Sequence, residues 1–555
     1  MKYTKFFALF ISISFCFNQS QIAQFSFSLK DSLRGALRPE RNYNVLHYDL
    51  SIQLDIPAQS LKGFVGMEFQ ANQDLSTIQF DLFENMNIKK ITYRGRELKF
   101  NRKFDAVFVP LNIQKNDQEV LKIYFDGKPI IAKRAPWDGG FVWKQDAQGK
   151  PWIGVACEGI GASLWWPNKD HLSDEPEKGM NIHITVPNDL MAISNGNLEK
   201  VTDEDKKNKT YHWKVSYPIN NYNVSLYVGD YIHFKDQYKA ADGSILPLYY
   251  YVLKGKEDTA RNHFEQVKKM LEAYEFYFDK YPFWNDGYAL VESPYLGMEH
   301  QSAIAYGNQY KRGYLGARMS AEFNFDYIII HESGHEYFGN SVSCNDHADM
   351  WIHEGFTTYM EALYVEYLHG KKAALRYLES QRSGIQNKMA LIGPRDVNFQ
   401  NFPDSDIYGK GSWVLQTLRF TLKNDSLWFK MIKGFYNTYK YKNINSEDFF
   451  MYVNDYTKKD FTPFFNQYFK TNEIPKVKLK ILSDTNRTRI LFKIECKEEK
   501  LELPIEVNID GRIIQLDAST KERNIEFSKN FKSIKAINTQ ALVEILPNEE
   551  GTFIK

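Results

Sequence analysis

The sequence predicts an α+β protein of several domains, because its hydrophobic pattern changes twice along the chain. Over 47–56 apolar and polar residues alternate, the period of a strand with one buried face. Short runs of the same kind continue to about residue 235, punctuated by Gly, Asn and Asp. The period then lengthens. Across 257–280 apolar residues fall at Phe264, Val267, Leu271, Tyr274 and Phe278, one face of a helix, and Pro282 stops it. Further helices are expected over 326–338, ending near Gly339, and over 351–369, with Gly370 as the C-terminal cap. Beyond Pro475 the strand pattern returns at 477–481 and 489–494. The expected organisation is a leader at 1–22, an N-terminal β domain at 23–236, a mainly helical domain at 237–474 and a small C-terminal β domain at 475–555.

Bulk composition narrows the function classes. Hydrophobic residues make up 43% of the 555 and aromatics 15%, enough for large cores, which excludes global disorder. Lys and Arg total 70 against 69 acidic residues, so the net charge of +1 exerts no long-range pull on nucleic acid or an anionic membrane. Lys2 and Lys5 precede an apolar run at 6–17, followed by polar Asn18, Gln19 and Ser20. That run is shorter than the roughly 20 residues of a spanning helix and suits an export signal, with no further transmembrane segment after it. A soluble periplasmic or extracellular protein is expected. Bulky Phe15 before Cys16 departs from the small-residue pattern of a lipid-anchored leader. Cys157, Cys344 and Cys496 are widely spaced, giving neither a disulfide framework nor a CxxC metal knot.

The chemistry concentrates at 331–354. His331 and His335 stand one helical turn apart on one face, where two imidazoles can bind one metal. Glu332 is rotated by about 100° around the axis, beside such a metal without ligating it. A hydrolytic zinc site takes three protein ligands and leaves a fourth position for water. Glu354, 19 residues after His335 and near the start of the next expected helix, is the candidate third ligand. This set supports metal-assisted hydrolysis, with Glu332 as general base.

Four ordered segments surround it: Leu296-Gly297-Met298-Glu299-His300, then 331–340, then 350–356, then Tyr408-Gly409-Lys410-Gly411. Together they resemble the GAMEN, HExxHxWFGN, WLNEG and Tyr-x-Lys-Gly segments of the gluzincin aminopeptidases of the aminopeptidase N family, over residues from about 40 to 475. The resemblance implies a saddle-like N-terminal β-sheet domain, a thermolysin-like catalytic domain and one Zn2+. Only about 80 residues follow Pro475 here, and they read as strands, so a short form without the large C-terminal helical domain of many members is expected. It further implies that Glu299, and Glu158 in Ala156-Cys157-Glu158-Gly159, bind the protonated α-amine of a peptide with a free N-terminus. By the same resemblance Gly297 and Met298 contact substrate, and Tyr408 donates to the developing oxyanion. The expected activity is removal of single N-terminal residues.

The departures are specific: Leu296 replaces a small residue of GAMEN, His300 its Asn, and His353 the Asn of WLNEG. Three other readings stay open. An endopeptidase would share the zinc chemistry. An epoxide hydrolase of the same family would use the missing helical domain. A non-catalytic peptide-binding module would require loss of Glu332 or of a ligand, and all are present. Oligomeric state is left open.

Overall fold

The computed structural model describes residues 26–317, 320–400 and 402–552. The leader at 1–22, with Cys16, lies outside the described residues. The alternating segment becomes the strand Tyr43–Asp55, in which Tyr48, Leu50 and Ile52 are buried and the residues between them are half-exposed. It lies near the middle of an eight-stranded sheet, parallel to Met180–Pro187 on one side and antiparallel to Ser60–Ala71 on the other. A separate four-stranded sheet contains Pro151–Ala156, which delivers the chain to Glu158.

A five-stranded sheet comes next, ordered Tyr231–Lys239, Ile245–Leu253, Tyr288–Glu292, Ile304–Tyr306 and Gly297–Met298. Its first strand corrects the domain boundary drawn at 236. Tyr231–Lys239 pairs along its whole length with Ile245–Leu253, so backbone hydrogen bonds assign it to the second domain. The helix expected over 257–280 is two helices, Glu257–Phe264 and Gln266–Tyr277. At the break the Gln266 side-chain amide donates to the His263 carbonyl at 2.7 Å, replacing a backbone donor.

Two helices carry the metal-binding motif. Tyr327–His335 starts at Asp326, whose buried carboxylate accepts from Ile328 N and Ile329 N. Trp351–His369 packs against it closely at Gly334, where a Cβ would press on the Thr357 methyl. The helix Asp406–Leu422 crosses Trp351–His369 where Gly355 and Gly411 face each other backbone to backbone. That close approach brings Tyr408 beside the motif helices.

The C-terminal segment forms a five-stranded and a three-stranded sheet. It docks on the helical domain through hydrogen bonds from Leu542 N to Thr417 Oγ1 and from Tyr468 OH to Leu542 O, both 2.8 Å. Cys157, Cys344 and Cys496 are free thiols. No helix among the described residues is long and apolar enough to cross a membrane.

Candidate active site

Every site residue chosen from the sequence lines one cleft of about 780 Å³. His331 Nε2 lies 3.2 Å from His335 Nε2, and Glu354 Oε2 lies 3.4 and 3.3 Å from them. The tautomers follow from the outer nitrogens. His331 Nδ1 donates to Glu361 Oε1 at 2.6 Å and His335 Nδ1 donates to the Phe338 carbonyl at 3.0 Å. Both Nε2 atoms of the neutral rings therefore point bare lone pairs at a buried carboxylate oxygen that has no donor of its own. Three acceptors converge with no proton between them. Donors held 2.0–2.2 Å from a tetrahedral ion stand about 3.3–3.5 Å apart, so this triangle fits zinc in size as well as in donor type.

The electrostatics agree. Burial opposes charging of His335, yet Glu354 and Glu299 draw its pKa up to about 8. Burial would raise the Glu354 carboxyl, but the positive charge that His335 and then His331 can carry beside it holds it well below the usual range. The cluster attracts positive charge.

Sequence reasoning missed Glu361. Its carboxylate orients His331 and is itself held by Tyr377 OH at 2.5 Å and Gln381 Nε2 at 3.2 Å. The signal was present: Glu361 is seven residues, two turns, beyond Glu354 on the same helix face. Carboxylate partners of a ligating His sharpen its orientation and basicity. Glu361→Gln is expected to weaken zinc affinity about 10- to 100-fold. Competition with a chromogenic chelator measures this, and an unchanged affinity would remove Glu361 from that role.

Glu332 is not part of the triangle but lies beside it, with a carboxylate oxygen within 4.8 Å of a His335 nitrogen, and it rests against the edge strand Gly297–Met298. A Cβ at position 297 would collide with the Glu332 carboxylate, which explains the glycine of this segment. Burial pushes the Glu332 carboxyl up to about 8, with His331 opposing and Glu299 adding to the rise. Glu299 Oε1 accepts from Tyr222 OH at 2.9 Å, and the Glu299 carbonyl accepts from Asn340 Nδ2 at 2.7 Å. Glu158, from the other domain, brings a carboxylate oxygen within 4.8 Å of one on Glu299. Burial, then Glu299, holds the Glu158 carboxyl well above its ordinary range. Glu299 is buried and Glu158 half-buried, and two carboxylates this close share a proton or accept a cation between them. The Tyr408 ring stacks on His331 at 6.0 Å, and its hydroxyl is kept protonated by burial and by Glu354.

The departures also have places. His300 Nδ1 is 2.6 Å from Tyr227 OH, which donates to the Ala303 carbonyl at 2.7 Å; the ring supports the turn behind Glu299. His353 Nε2 accepts from Cys344 N at 2.9 Å.

Comparison with known proteins is decisive at the level of family. The Peptidase M1 N-terminal domain profile matches residues 44–222, and the Peptidase family M1 domain profile matches 262–468. The chain belongs to peptidase family M1. This M1 chain is 23% identical over 510 residues to "Probable aminopeptidase 2" of Sulfurisphaera tokodaii, covering 88% of this chain and 62% of that one. It is 20% identical over 514 residues to "Leucyl aminopeptidase" of Saccharolobus solfataricus, again 88% and 62%. It thus spans about three-fifths of the length of these relatives. An M1 zinc metallopeptidase mutant from Deinococcus radiodurans, solved with the substrate Tyr-Ser-Ala, shares the fold with a TM-score of 0.64 at 21% identity, over 78% of this M1 chain and 95% of that one.

Proposed function

We propose that this protein is a zinc-dependent aminopeptidase that hydrolyses the N-terminal residue from peptides. The observation that carries this reading is the Glu158–Glu299 pair, a half-buried and a buried carboxylate within 4.8 Å in the cleft that also holds the His331–His335–Glu354 triangle. A peptide interior offers no cation at that spacing; a free α-ammonium does, through charge-assisted hydrogen bonds.

His331, His335 and Glu354 would hold one Zn2+, which when bound acidifies a water and polarises a carbonyl. Glu332, out of the ligand triangle yet beside it, takes the water proton and delivers it to the departing amine. Tyr408 OH donates to the oxygen that gains charge. The strand Gly297–Met298 lies at the edge of its sheet, and a peptide running alongside can add to that edge. Met298, in the cleft wall next to Glu299, contacts the first side chain. The relatives named as aminopeptidases support the reading. The export-signal pattern at the N-terminus supports a periplasmic or extracellular site of action.

Aminoacyl-p-nitroanilides should be cleaved and their N-acetylated forms should not, because acetylation removes the cation that Glu158 and Glu299 bind. Cleavage of both at equal rate would overturn the reading in favour of an endopeptidase.

A further inference from the structure

The long helix Trp351–His369 presents a second functional side chain immediately before Glu354. His353 is fully buried. Its Nε2 accepts the backbone N–H of Cys344 at 2.9 Å, and since a backbone amide can only donate, the ring proton sits on Nδ1. That Nδ1–H has no hydrogen-bond partner among the described residues. A buried donor left unmade costs free energy, so it invites an explanation. The ring borders the amine site: one of its nitrogens comes within 4.8 Å of a carboxylate oxygen on both Glu158 and Glu299.

The three groups are disposed as if around a metal, but the tautomer argues against a second cation there. Nε2 is occupied by Cys344, and Nδ1 bears a proton and has no lone pair to give. What remains is a ring that carries one unpartnered N–H and borders two carboxylates. Glu299 already receives one hydrogen bond, from Tyr222, on Oε1.

We propose that His353 is a positioning residue of the α-amine site, its Nδ1–H steering the Glu158–Glu299 carboxylates that receive the substrate ammonium. This rests on the aminopeptidase reading. An N–H donor takes up one carboxylate lone pair and leaves the others turned toward the cation. It also eases the repulsion of two like charges held close together. His353 touches neither the scissile bond nor the leaving group, so it acts on substrate binding rather than on turnover.

The two ring nitrogens can be tested separately. In His353→Asn the side-chain amide keeps a donor near Nδ1 and gives up the Cys344 contact. In His353→Gln the longer amide reaches toward Cys344 and gives up the donor. With leucine p-nitroanilide, His353→Gln should raise KM about tenfold, the worth of one charge-assisted hydrogen bond, with kcat within about twofold. His353→Asn should stay within about threefold of the parent KM. A simple hydroxamate without an amine should inhibit the parent and both variants equally, and zinc content should be unchanged. A parent-like KM in His353→Gln, or a KM in His353→Asn raised as far as in the Gln variant, overturns the proposal while the parent activity stands. If His353→Gln does not fold, the KM of His353→Asn alone decides. A parent enzyme that leaves leucine p-nitroanilide intact overturns the aminopeptidase reading, and this inference with it.

Discussion

Glu332→Gln should lower kcat by about 10²- to 10⁴-fold, the usual contribution of a positioned general base, and leave zinc content unchanged. The two halves of this result come from separate parts of the site. The donor triangle of His331, His335 and Glu354 does not include the Glu332 carboxylate, so an amide there disturbs no ligand. Gln has the same shape as Glu and keeps the contact with Gly297 that sets the side chain's direction. Only the ability to take a proton is lost. Single-turnover kinetics with an aminoacyl-p-nitroanilide, alongside atomic absorption for zinc, would measure both. Unchanged turnover would mean that another group activates the water.

The second large effect is at Glu354. Glu354→Ala leaves two imidazole nitrogens where three donors stood, and loss of zinc during dialysis is expected, with activity falling to background. Stability gives an independent readout. Binding to the folded state alone stabilises it by about 2.7 kcal/mol when free zinc is about a hundred times Kd. The parent Tm should therefore fall on chelation and recover with zinc, whereas the Tm of Glu354→Ala should respond to neither. A chelator-sensitive Tm in the variant would place the third ligand elsewhere, and Glu299, which shares a possible site with Glu332 and His335, would be the residue to test next.

Sequence periodicity reached far into the catalytic centre because its key spacing is local. His331 and His335 share a face by the geometry of any helix, and Glu354 lies at the start of the next one. Glu361 was within reach of the same argument, two turns further along that face, and was missed because no motif marks it. The helix break at Glu265 was out of reach. It depends on the Gln266 amide, whose carbonyl oxygen also receives a hydrogen bond from Asp326 N, 60 residues away in sequence. The boundary near 236 failed for a related reason. Strand alternation shows that Tyr231–Lys239 is a strand, but only its hydrogen-bonding partner shows to which sheet it belongs.

By itself the sequence determined the order of β-rich, helical and β-rich regions, which follows from the periods of helix and strand, and it singled out His331, Glu332, His335 and Glu354 as the candidate hydrolytic set by their spacing. Only the tertiary structure decided how close Glu158 comes to Glu299 from another domain, that Gly355 and Gly411 bring the Tyr408 helix against the motif helix, and that the His353 ring, with an unpaired N–H, borders the amine site. The physical reason is common to all three. Each is a contact between segments far apart in the chain, selected by packing and by the need to pair buried polar groups, and neither leaves a period in the sequence.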